Sequence, residues 1–136
     1  MPALRRPERR RVEADISDEI RARLAKIPEV TLWRNNVGAL QDKNGTWLRY
    51  GLAPGSADLI GVLAVKLAMP WGPPGMDRTV TVGRFLAIEV KKPGEKPTED
   101  QRGWLEVVRK AGGLVGVCTS ADEAEELIAR GMRWEQ

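Results

Sequence analysis

Two apolar runs, joined by a connection that can be neither helix nor strand, limit this chain more than any other feature. The first, Leu59-Ile60-Gly61-Val62-Leu63, opens directly after Asp58. The second covers Arg84 to Lys91 and can begin as early as Thr79. Between them, residues 69–78 read Met-Pro-Trp-Gly-Pro-Pro-Gly-Met-Asp-Arg. Prolines there remove backbone donors and fix φ, and the glycines break any remaining regularity. Both runs have the length of buried strands, so the pattern predicts a hairpin with a long connection. Hairpin strands pair antiparallel, which sets the start of the first beside the end of the second. Asp58 is thereby predicted to meet Ile88-Glu89-Val90-Lys91.

The rest of the chain punctuates clearly. Ile16, Ile20, Leu24 and Ile27 form one apolar stripe, predicting a helix from about Val12 to Lys26 that Pro28 ends. Val30-Thr31-Leu32-Trp33 is a short strand. Residues 35–56 look loop-like, with an Asn44-Gly45 turn and room for a brief strand at Thr46–Tyr50. Thr98-Glu99-Asp100-Gln101 fits a capping box opening a helix that ends at Gly112-Gly113, and Ser120-Ala121-Asp122-Glu123 opens another that ends at Gly131. Leu114–Cys118 is a strand between them, so strand, helix and strand predict a parallel crossover. The coarse order is αβββαβα, an α/β fold with a mixed sheet flanked by helices.

The 136 residues suit one domain, taken as residues 12–136, which can bury a core without disulfides. Ahead of it Arg5, Arg6, Arg9, Arg10 and Arg11 make residues 1–11 a flexible basic arm, either a solubilising tail or a phosphate contact. No apolar run approaches the ~20 residues a membrane helix needs. Cys118, the single cysteine, sits in an apolar strand and is expected to be a small buried hydrophobe of a reducing cytoplasm. The chain has no histidine. That removes Ser-His-Asp and Cys-His catalysis, histidine-ligated zinc and the His-x-Glu deaminase site. Hydrolytic chemistry here must rest on carboxylates, lysine and a hard metal ion.

Alternate residues of a strand share a face. Glu89 and Lys91 therefore point one way, and Ile88 and Val90 the other. Two charges on an apolar strand mean either a solvated face or a pocket, because buried charge is costly. Asp58 favours the pocket, since it brings a second carboxylate to the same point. A hard ion such as Mg²⁺ or Mn²⁺ typically binds through one or two carboxylates. Asp58, Glu89 and the backbone carbonyl of Val90 are the expected ligands. Such an ion would polarise a phosphate and acidify a water. Lys91, a compact charge, would orient that water or steady the developing charge.

Gly55-Ser56-Ala57-Asp58 followed by Glu89-Val90-Lys91, in this order of elements, resembles the PD-(D/E)XK nuclease superfamily. With Trp33-Arg34-Asn35-Asn36-Val37-Gly38-Ala39, Asp58-Leu59-Ile60-Gly61, and Gln101 ahead of Ala111-Gly112-Gly113, the chain resembles more narrowly the VRR-NUC family, over roughly residues 12–120. Ala57 stands where the superfamily name has proline. The resemblance implies a restriction-endonuclease-like αβββαβ core, here with an extra C-terminal helix, and a DNA endonuclease dependent on Mg²⁺ (or Mn²⁺). It also implies a homodimer acting on branched DNA such as four-way junctions.

The family further implies a carboxylate on the first helix. With about 100° per residue and Ile16 at zero, Glu13 falls near 60°, within the apolar stripe, whereas Glu19, Asp15 and Asp18 fall outside it. Glu13 is thus the candidate ligand, unless it is simply a favourable acid in the first turn. Gln101 is a candidate near the active site by resemblance and equally the third residue of a capping box. Arg34, Asn35 and Asn36 are candidate DNA contacts. Three rivals stay open: a ribonuclease-H-like nuclease, which would have no use for Lys91, a non-catalytic nucleic-acid-binding module, and a structural subunit.

Overall fold

The computed structural model describes residues 8–76 and 78–136, without the side chains of residues 8–11. Arg5 and Arg6, and the side chains of Arg9, Arg10 and Arg11, lie outside what is described. The elements run α1 (Glu8–Leu24), β1 (Val30–Arg34), β2 (Gly38–Gln41), β3 (Trp47–Tyr50), β4 (Leu59–Ala68), β5 (Thr79–Val90), α2 (Glu99–Lys110), β6 (Leu114–Cys118) and α3 (Ala121–Met132). Without the small β2–β3 hairpin this is αβββαβ followed by a helix. Among the described residues no helix is long and apolar enough to cross a membrane.

Four strands make the main sheet in the order β1-β4-β5-β6. The first three are antiparallel neighbours, and β6 joins β5 in parallel through α2. The hairpin expected from the Pro/Gly connection is present, with Leu59 opposite Ile88 and Leu63 opposite Arg84. It is longer than expected. β4 continues to Ala68 because Ala64-Val65-Lys66-Leu67 keeps a buried–exposed alternation against Thr79–Val82. α1 begins at Glu8 rather than Val12, since Glu and Arg are good helix formers and nothing interrupts them.

The two sheet faces differ. On one, Leu59, Leu63, Leu86, Ile88 and Leu114 pack against Ile20 and Leu24 of α1 and Leu127 and Ile128 of α3. Each such side chain contributes about 1.5–3 kcal/mol by leaving water. On the other, α2 covers a smaller patch in which Ala57, Ala87 and Leu105 meet, with Trp104 alongside. Thr98 caps α2: its hydroxyl accepts from the Gln101 amide, and the Gln101 side-chain oxygen accepts from the Thr98 amide at 2.9 Å. Cys118 is buried, and burial pushes its thiol up to about 12, so it stays protonated.

One buried charge stabilises the far side of the fold. Arg84, 4% exposed, donates to the carbonyls of Gly112 (2.9 Å), Gly131 (3.3 Å) and Glu135 (2.9 Å) and lies 4.6 Å over the Trp134 ring. Gly112 follows α2 and Gly131 is in the last turn of α3. Carbonyls at helix C-termini carry partial negative charge, so two helix ends and the C-terminal segment share one guanidinium.

Candidate active site

The turn before β4 is built to present Asp58. Gly55 sits at φ +82, and a Cβ there would fall 2.9 Å from the Asp100 backbone at the start of α2, so glycine satisfies both the left-handed angle and the close approach. Ala57 is fully buried in the small core under α2, where its methyl packs in place of proline. The Asn35 amide donates to Ser56 Oγ and to the Ala57 carbonyl, both at 2.8 Å, and the Asn35 backbone N–H donates to the Asp58 carbonyl. β1 thereby clamps the turn. Asp58 Oδ2 accepts from the Val90 N–H at 2.8 Å, which locks its carboxylate onto the end of β5.

Asp58 and Glu89 lie one step beyond the Leu59–Ile88 pair, on the same face. Glu89 is 1% exposed. Its Oε1 is 3.4 Å from Lys91 Nζ, and its Oε2 is buried with no hydrogen-bond partner among the described residues. Burial first, and then the Asp58 charge, pushes the Glu89 carboxyl up to about 8, against the opposing pull of Lys91. At neutral pH a carboxyl in this state holds a proton. Lys91 is held in turn by its own backbone, whose N–H donates to the Cys118 carbonyl at the end of β6.

Glu13 approaches from α1. Its carboxyl is raised above the ordinary range by burial and by a hydrogen bond and charge from Glu95, partly offset by Lys91. Glu95 arrives on the tight turn after β5, where its N–H donates to the Lys92 carbonyl and its carboxylate lies 3.5 Å from Lys92 Nζ. Lys92 is thus partly buried and paired. A cleft of about 740 Å³ opens between α1 and the segment after β1, bordered by Glu13, Arg21, Arg34, Asn36, Asp58 and Val90. Glu89 and Lys91 do not line it and adjoin it through Asp58 and Val90. Gln101 stays in its cap, with its side-chain oxygen engaged.

The sequence matches the model of the VRR-NUC domain over residues 3–122. The chain belongs to the VRR-NUC family. This is a family of PD-(D/E)XK nucleases, so the domain is that of a nuclease. Comparisons with curated proteins and with solved structures gave no match.

PD-(D/E)XK nucleases generally use a divalent metal, and the donors of this VRR-NUC domain fit one. Among the described residues no three Asp, Glu, Cys or His side chains form a ready cage. A Mg²⁺ ion does not need one, because it keeps several waters and takes one or two carboxylates. Asp58 offers its second oxygen, and Glu89 offers an oxygen that lacks any partner among the described residues. A cation is the group that would reverse the cost of ionising Glu89 there.

Ser17, Arg21 and Glu95 join this candidate site of the VRR-NUC domain without having been expected there. Ser17 and Arg21 line the cleft with Glu13 at spacings of four, one helix face beside the apolar stripe; that periodicity was visible in the sequence. Glu95 had a weaker signal, an acid in the Pro93-Gly94 turn directly after the Glu-x-Lys strand.

Proposed function

We propose that this VRR-NUC domain is a metal-dependent DNA endonuclease that hydrolyses phosphodiester bonds, acting as a homodimer on branched DNA such as four-way junctions. The observation that carries the catalytic reading is the buried Glu89 oxygen, unpartnered among the described residues, beside Lys91 and beside Asp58, which borders an open cleft. In this reading Asp58, Glu89 and the Val90 carbonyl hold Mg²⁺ or Mn²⁺, with Glu13 completing the acidic wall. The ion, when bound, supplies Lewis-acid polarisation of the scissile phosphate and a more acidic water. Lys91 orients the attacking water and offsets charge that develops on the phosphate. Arg34 and Arg21 engage flanking phosphates from the two sides of the cleft. Asn35 positions Asp58 through the turn it clamps, Asn36 contacts the DNA backbone, and Gln101 acts as a positioning residue through the α2 cap. A two-fold dimer would present two such sites to a substrate of matching symmetry.

The test is direct. The purified chain is incubated with supercoiled plasmid and with a four-way junction, with and without Mg²⁺. Nicking that needs the ion and disappears in Asp58→Ala and Lys91→Ala supports the proposal. Binding without nicking in either Mg²⁺ or Mn²⁺ would instead make the chain a non-catalytic nucleic-acid-binding module. Nicking that survives Lys91→Ala would point to a site that does not use the Glu-x-Lys pair. Sedimentation of the free protein tests the dimer.

A further inference from the structure

The β2–β3 hairpin contributes no buried residue and forms a sheet of its own. A two-stranded ribbon has little stability alone, yet this one exposes a Trp, a Tyr and two Leu. Its root is fixed beside the cleft. Gly51 has φ +83, and a Cβ there would fall 2.3 Å from the Asn36 carbonyl oxygen, so the chain crosses itself at that point. The pairs Ala39–Arg49 and Gln41–Trp47 set these four side chains on one face. That face carries an indole 66% exposed, a guanidinium two positions along, an amide, and no carboxylate. The nearest acid, Asp42, is taken up by the turn, its Oδ1 accepting from the Asn44 and Thr46 N–H groups at 2.8 and 2.9 Å.

Beside Arg49 lies a hollow of about 340 Å³ bordered also by Ala39, Leu52 and Pro54. Val37 and Tyr50 border both this hollow and the catalytic cleft, so the two adjoin. Exposed apolar patches of this kind mark interaction sites. An aromatic plane next to a cation suits a nucleobase and its phosphate. We propose that this face receives an unpaired nucleotide of the substrate strand as it leaves the cleft, with the base stacked on Trp47 and the phosphate held by Arg49. Bases inside a duplex are already stacked on each other, so the hairpin favours substrates with a flap, an overhang or an opened junction. The inference rests on the nuclease reading of the neighbouring cleft.

The experiment uses the full chain in a Glu89→Gln background, so that bound DNA stays uncut. The probes are a blunt duplex and the same duplex with a single-stranded flap carrying 2-aminopurine. The flap is expected to bind more tightly, with its 2-aminopurine quenched. Adding Trp47→Ala should abolish the quench and weaken flap binding about tenfold, the scale of one lost base–aromatic stack. Arg49→Ala should weaken binding and lower the salt slope by about one unit. A Trp47→Ala chain that keeps the flap preference, or a starting chain that has none, overturns the proposal. So does sedimentation in which Trp47→Ala turns a dimer into monomers, because the indole is then covered by a second copy. A wild-type chain that cuts no DNA in Mg²⁺ would break the nuclease reading and leave the binding result standing by itself.

Discussion

β5 buries two ionisable side chains, and they are treated in opposite ways. Arg84 reaches three backbone carbonyls and a tryptophan ring. Glu89 has a lysine at 3.4 Å on one oxygen and, among the described residues, no hydrogen-bond partner on the other. Burial lowers the pKa of the arginine and raises that of the glutamate, each away from the charged form. Only the arginine is compensated within the described fold, by carbonyls at two helix ends. A buried polar group without a partner costs about 1–3 kcal/mol or more. A cost met at one end of a strand and left open at the other is what the proposed metal site would account for.

The largest effect that tests this contrast is on cleavage. Glu89→Gln keeps the shape and removes the charge, and should lower nicking by about 10³-fold, the upper range for loss of one group that stabilises transition-state charge, with no loss of thermal stability. Arg84→Met should do the reverse. It removes the guanidinium from three carbonyls, of which Gly131 keeps the Trp134 N–H, and should cost about 3 kcal/mol in a urea titration, while the protein that remains folded still cuts. If both variants lose stability alike, the contrast fails.

A smaller effect comes from pH. The folded Glu89 carboxyl lies above its ordinary 4.5, at about 8, so the metal-free fold holds a proton that the unfolded chain has lost. Its contribution to stability is complete below about 4.5 and is lost as pH rises towards about 8. Wild type should therefore weaken from pH 5 to pH 9 more than Glu89→Gln does, and added Mg²⁺ should narrow the gap. Mg²⁺ affinity should rise about tenfold per pH unit until near 8 and then level, because the ion displaces that proton. The smallest effect is at the cap. Gln101→Ala and Thr98→Ala should each cost about 1 kcal/mol and change cleavage equally; a larger activity loss in Gln101→Ala would place Gln101 against the substrate.

Much of this was legible in the sequence because its causes are local. The Pro/Gly connection dictates the β4–β5 hairpin, and that hairpin alone brings Asp58 to Glu89. The two capping boxes mark α2 and α3 because cap chemistry needs particular residues at particular spacings. Other features depend on partners distant in sequence. Gly38–Gln41 has weak strand propensity and becomes β2 only by pairing with β3 around the Asp42 turn. Arg84 looks like an ordinary strand residue until Gly112, Gly131 and Glu135 surround it. Glu95 gains significance only when Glu13 arrives from the other end of the chain.

The most direct measurement is the position of a divalent cation, read from the anomalous signal of Mn²⁺ in crystals grown with it. The ion is expected between the Asp58 and Glu89 carboxylates, beside the Val90 carbonyl and absent in Glu89→Gln. A Mn²⁺ ion bound elsewhere while this pair stays empty, or an unchanged ion in Glu89→Gln, would contradict it.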